Sequence, residues 1–204
     1  MKTIFYLFIG LLVFCSCQKD LSSLVTGTFT DSRDDQTYKT VLIYEQWWMA
    51  ENLNYETDTG SWIYDNNSEN AEMYGRLYNW EAACDACPVG WHLPGDNEWK
   101  ILEIVLGMSQ VDADSSDHWR GTDQGTKLIV GGTSGFDALM GGARYFDGSY
   151  KDKDLYAYFW TSTDLDSTYS WMRLLSIVTT EIYRDFGNNN NSFSVRCIKD
   201  TYSK

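Results

Sequence analysis

Proline is nearly absent: Pro88 and Pro94 are the only two in 204 residues. Reversals of the chain must therefore be made by its 16 glycines and by Asn and Asp, which tolerate turn backbones. Basic residues are scarce as well. Sixteen Lys and Arg stand against 29 Asp and Glu, a formal net charge of -13. That balance excludes the clustered cations needed to grip nucleic acid or an anionic membrane surface. Only two histidines are present, His92 and His118, and neither has the spacing of a zinc ligand set. No apolar run approaches the roughly 20 residues of a membrane-spanning helix. Internal repeats and low-complexity stretches are missing too.

What is present is aromatic: 16% Phe, Trp and Tyr, with 9 Trp and 14 Tyr, inside an ordinary hydrophobic content of 43%. The length suits one domain plus short extras. The profile points to many short strands and long loops rather than a helical bundle. Residues 1–16 read as a signal peptide, with Lys2 ahead of an apolar run at residues 4–14. Ser16 before Cys17 resembles the lipobox of bacterial lipoproteins, which makes Cys17 the acylated first residue of the mature chain. The alternative is an ordinary signal peptide with free cysteines. Residues 17–30, rich in Ser, Thr and Gly, are expected to be a tether. The mature chain keeps Cys84, Cys87 and Cys197, enough in an exported protein for one bridge and one spare.

Residues 74–99 form the hub of the chain. Trp80 to Ala86 has helical spacing, and Pro88 and Gly90 end it. A short extended piece, Trp91-His92-Leu93-Pro94, leads to a second helix near Gly95-Asp96. Glu98 stands there at a capping-box position, and Trp99, Leu102, Val105 and Leu106 form the apolar stripe. Before the hub, residues 37–44 and 47–50 read as a β-hairpin, and residues 51–70 as a loop interrupted by Trp62-Ile63-Tyr64. After it, residues 107–127 read as an acidic loop. Residues 156–163, 169–176, 180–186 and 193–198 read as strands, with a hairpin at Asp147-Gly148 and a turn at residues 188–191.

These blocks resemble the FISUMP family (Fibrobacter succinogenes major paralogous domain) over residues 31–200, leaving 201–204 as a tail. Carrying residues include Gln46-Trp47-Trp48-Met49-Ala50-Glu51-Asn52-Leu53, Tyr74-Gly75-Arg76-Leu77-Tyr78 and Cys87-Pro88 with Gly90-Trp91-His92-Leu93-Pro94. Gly141-Gly142 with Arg144, Trp160-Thr161-Ser162-Thr163 and Phe193-Ser194-Val195-Arg196-Cys197 continue the match. The family consists of exported domains, often lipoproteins, without an activity that transfers. The hub is also similar to a C-type lectin-like signature, through Trp80, Ala83 and Cys87 and then His92-Leu93. That likeness implies an α+β fold with two short helices, small twisted antiparallel sheets and long loops. It also implies a Cys87–Cys197 disulfide tying the first helix to the last strand. Where relatives carry a further cysteine pair this chain has Ile63 and Ala71, so that loop is expected to be looser.

Each chemical motif has a plainer reading. Cys84-Asp85-Ala86-Cys87 spells CxxC but sits at a helix end, not at the start where a thiolate is stabilised. His92 reads as a structural histidine in or near the core. Asp112, Asp114 and Asp117 read as a solvated loop rather than a calcium site, and the expectation is no metal, no cofactor and no catalytic residue. Trp47, Trp48 and Trp171 sit in expected strands. Trp62 and Trp119 lie in expected loops and are the ligand-binding candidates. The function expected is a non-enzymatic, lipid-anchored module of the bacterial cell envelope, an outer-membrane lipoprotein facing the surface. Its partner would be a glycan or an envelope protein. The alternatives are a structural envelope component and a formylglycine-generating-type enzyme.

Overall fold

The computed structural model describes residues 24–201, so the signal peptide and Cys17 lie outside the described residues. Three strands open the fold: β1 (Val25–Thr30), β2 (Thr37–Ile43) and β3 (Gln46–Met49). They pair as an antiparallel meander, and the β2–β3 hairpin lies where expected. The tether expectation is corrected at its end. Residues 25–30 pair with β2 along their whole length, from Val25 opposite Leu42 to Thr30 opposite Thr37. The signal was the alternation of Thr with Val25, Gly27 and Phe29, a β-branched period of two.

Next come β4 (Ser61–Trp62), a 3-10 turn at Tyr64–Asn66, α1 (Ser68–Tyr74) and β5 (Leu77–Tyr78), which pairs with β4. The segment expected to be loose is fastened without a disulfide. Asn67 Oδ1 caps α1, and Asn70 Nδ2 donates to Tyr64 O at 3.0 Å. The hub then gives α2 (Trp80–Ala86), β6 (Trp91–His92) and α3 (Asp96–Val105), all in their expected places. Residues 107–127, expected as a loop, hold α4 (Gln110–Asp114), β7 (His118–Arg120) and α5 (Gln124–Leu128). β8 (Ala143–Arg144) and β9 (Tyr150–Lys151) close a hairpin around Asp147-Gly148. The chain ends with β10 (Tyr156–Asp164), β11 (Tyr169–Ser176), β12 (Ile182–Asn188) and β13 (Ile198–Lys199). The described residues therefore carry five α-helices, not two. The extra three are single polar turns or little more, with too few apolar positions to register as periodic.

The architecture is α+β. The larger sheets have the orders β1-β2-β3-β13-β6 and β10-β11-β12-β7, beside the two-stranded β4-β5 and β8-β9. Alternation along the strands feeds two cores. Trp48 and Phe159 enter one; their chain neighbours Met49 and Trp160 enter the other. In the first core Trp99 of α3 meets Trp48, Phe136 and Phe159 at centroid distances of 5.2, 5.6 and 5.7 Å. Such ring pairs add roughly 0.5–1.5 kcal/mol each beyond area burial. Cys87 bridges Cys197, with Cα atoms 5.9 Å apart across 110 residues of sequence, which fixes α2 to the C-terminal strand.

Beside the first core lies a buried ionic cluster. Asp96 and Glu103 of α3 meet Arg120 of β7, Arg173 of β11 and Arg184 of β12, all buried. Glu103 takes Arg120 in a two-pronged pair at 2.9 and 3.0 Å and Arg173 Nε at 2.5 Å. Asp96 takes Arg184 likewise at 2.8 and 2.9 Å, and Arg173 Nη1 at 2.8 Å. This revises the expected stripe of α3. Trp99 and Leu102 are buried as expected, but Val105 is exposed and Glu103 is fully enclosed.

Candidate functional site

The two tryptophans singled out in the sequence lie apart. Trp119, on β7, is half-buried with its ring 5.4 Å from that of Tyr183. It lines none of the principal hollows. Trp62, on β4, lines an open cleft of about 420 Å³ together with Asn79, Arg144, Phe146, Asn188 and Asn190. Four separate pieces of chain meet here: the β4–β5 pair, the cap of α2, the β8–β9 hairpin and the turn after β12.

Backbone hydrogen bonds and side-chain caps tie these pieces together. Asn79 Oδ1 accepts from Ala82 N at 3.0 Å and so caps α2. Arg144 exchanges backbone hydrogen bonds with Ser192, at 3.0 and 2.7 Å. The Asn run closes itself, with Asn190 N donating to Asn188 Oδ1 at 3.0 Å. Buried Asn191 accepts from Phe146 N at 3.1 Å and pins the two loops together. That geometry leaves Phe146 70% exposed at the rim.

Arg144 and Trp62 form one wall. The guanidinium carbon lies 4.2 Å from the indole centroid, in cation–π contact. Arg33, Arg76, Arg120, Arg173 and Arg184 all pair with carboxylates. Arg196 is buried and donates to Asn52 Oδ1 and to three backbone carbonyls. Among the described residues, Arg144 alone of the arginines makes neither an ion pair nor a side-chain hydrogen bond. The amides of Asn79 and Asn188 likewise keep their NH₂ groups unengaged. Sequence reading found Trp62 but passed over the others. The run at residues 188–191 and the Asp147-Gly148 hairpin marked the loops, yet nothing local marked their convergence.

The remaining candidates have other duties. His92 is at the surface, not in the core: Nδ1 lies 2.6 Å from Asp200 Oδ1 and Nε2 3.0 Å from Glu98 Oε1. The hydrogen bond to Glu98, opposed by partial burial and aided by Asp200, pushes His92 up to about 9. An imidazolium with both nitrogens donating is a clamp at neutral pH, not a base. Burial, with Asp85 beside it, pushes the Cys84 thiol up to about 11, the opposite of an activated nucleophile. Asp112, Asp114 and Asp117 are taken by Ser109, by Lys100 and Gln110, and by Tyr183 respectively. Trp160 is buried, with its indole N–H on Tyr78 O, and Thr163 Oγ1 accepts from Asp96 N at the start of α3. Trp171 is stacked by Arg184 at 3.8 Å. A second aromatic hollow, of about 190 Å³ beside Lys199, is lined by Phe29, Trp47 and Trp91. Its rings are already engaged, Phe29 with Trp91 at 5.2 Å and Trp47 against Gly27.

The sequence model of the Fibrobacter succinogenes major domain family matches residues 41–199, well over half of the chain, so the chain belongs to that family. No curated protein and no solved structure matches it.

Proposed function

We propose that this member of the family is a non-enzymatic binding module of the bacterial cell envelope, held by an acylated Cys17, that takes a glycan in the Trp62–Phe146 cleft. The observation that carries the reading is the pairing of an exposed ring with unengaged polar side chains in one open hollow. Saccharides present apolar C–H faces and a fringe of hydroxyls. A ring such as Phe146 supports the former, and the amides of Asn79, Asn188 and Asn190 serve the latter. A C-type lectin-like architecture is part of the proposal. The Cys87–Cys197 bridge from α2 to the last strand, and the loops gathered at one rim, support it.

The formylglycine-generating alternative needs a pair of reactive cysteines. Cys87 is in the disulfide and Cys84 is held protonated. A purely structural role would leave the cleft residues dispensable.

The test is a glycan array followed by titration of hits against Phe146→Ala and Trp119→Ala. Phe146→Ala is expected to weaken binding about fivefold, the equivalent of roughly 1 kcal/mol of ring contact. Trp119→Ala is expected to change nothing. Loss confined to Trp119→Ala would move the site to β7, and an empty array would remove the glycan reading.

A further inference from the structure

We infer that the Trp62 cleft selects saccharides bearing a carboxylate, a uronate, and that Arg144 reads the charge; this rests on the glycan reading above. Three observations converge. The first is the isolation of Arg144. In a chain with 29 acidic residues against 16 basic ones, its side chain has no carboxylate within ion-pair distance and no hydrogen-bond acceptor among the described residues. Every other arginine makes an ion pair or a side-chain hydrogen bond within the protein. A guanidinium carries five N–H donors in a fixed fork that matches a carboxylate edge to edge. Here the fork lies over the indole plane of Trp62 and beside Gly148 of the same hairpin.

The second observation is the donor surplus of the cleft. Asn79 and Asn188 each spend their side-chain oxygen on the backbone, at Ala82 N and Asn190 N, so each turns only its NH₂ outward. With the five N–H donors of Arg144 these tip the lining toward donors, while the Asn190 amide adds both donors and an acceptor. A neutral hydroxyl both donates and accepts, whereas a carboxylate only accepts. The acceptor-only group fits the surplus better.

The third is the distribution of charge around it. Asn79 also borders an adjoining hollow lined by Asp58, Glu81 and Asp85. A charged saccharide is repelled there and drawn to the Arg144 side, so one amide separates a cationic from an anionic surface. An acidic sugar would therefore be oriented, not merely attracted. The exposed ring of Phe146 at the rim favours a sugar over an acidic peptide, because it offers a flat apolar face to pyranose C–H groups.

The experiment uses the full chain, purified in a zwitterionic detergent that carries no sugar. Its probes are galacturonate, mannuronate and glucuronate oligosaccharides, their methyl esters, matched neutral oligosaccharides, and a poly-glutamate peptide. At least one uronate series is expected to bind, with its methyl ester weaker by roughly tenfold or more, the usual worth of a charged hydrogen bond. Arg144→Gln is expected to bring uronate and ester to equal affinity, and Arg144→Lys to restore part of the difference. Equal binding of uronate and ester would overturn the charge selection and leave the glycan reading standing. Binding of neutral sugars alone would do the same. Binding of none of the saccharides would overturn both, and binding of poly-glutamate alone would replace the glycan with an acidic protein partner. Because Arg144 has no partner but Trp62, its substitution should leave the folded state intact. An unchanged near-ultraviolet circular dichroism spectrum checks this.

Discussion

Glu103 shows how much a single residue can hold when burial and charge oppose each other. It is fully enclosed and faces two arginines, Arg120 and Arg173. Removing a carboxylate from such a pair leaves cations buried without compensation, typically 3–5 kcal/mol. Glu103→Gln is therefore expected to lower the unfolding free energy measured in urea by an amount in that range; a change below about 1 kcal/mol would mean that the cluster is hydrated. Asp96 adds an acid dependence. Burial alone would raise it, but hydrogen bonds from Arg184 and the charge of Arg173 outweigh that and hold the carboxyl well below the ordinary range. Its contribution is therefore present above about pH 4, the unfolded value, and is lost as pH falls through the folded one. His92 works in the opposite direction. Raised to about 9, it stabilises fully below about pH 6.5, and that contribution is lost as pH rises to about 9. Its side chain is 41% exposed, so solvent screening limits the effect to about 1 kcal/mol. Stability measured from pH 6 to 10 should fall across this window in the native chain and stay level there in His92→Gln.

At the scale of elements, the Cys87–Cys197 bridge closes a loop across 110 residues of sequence. In the chain-entropy picture a loop of about 100 residues contributes about 4–5 kcal/mol. The double variant Cys87→Ala/Cys197→Ala should lose most of that in chemical denaturation, and an unchanged midpoint would show that the packing around α2 suffices alone. This bridge was legible from the hub's likeness to a known signature. So were α2 and α3, whose apolar spacing and Glu98 cap are local properties; Glu98 Oε2 does accept from Gly95 N at 2.7 Å. The short helices α1, α4 and α5 were not legible, because capping by Asn67 and Ser109 and tertiary contact hold them rather than periodicity. The same distinction separates Trp62 from its companions. An aromatic in a polar loop stands out in a sequence. Arg144 does not, since its meaning lies in the absence of a partner, which only the folded chain reveals. The ionic cluster was invisible for a related reason: Asp96 and Arg184 are 88 residues apart and meet only where α3 packs on the sheet that carries β12.

For the whole molecule, charge and anchoring have to be considered together. Stable attachment to a bilayer normally takes two signals, either two lipid chains or one chain with a polybasic patch. A net charge of -13 offers no such patch and repels an anionic leaflet. No helix among the described residues is long and apolar enough to cross a membrane. On the proposed reading, the acyl groups at Cys17 supply the attachment. Cys17→Ser is accordingly expected to move the protein entirely into the soluble fraction at both low and high salt. Globomycin, which blocks lipoprotein signal cleavage, should make the longer precursor accumulate. A Cys17→Ser chain that stays with the membrane pellet until salt is raised would show that protein surface carries the attachment. In that case the acidic exterior would have to be screened by a bound divalent cation, which chelation with EDTA would reveal by releasing the protein.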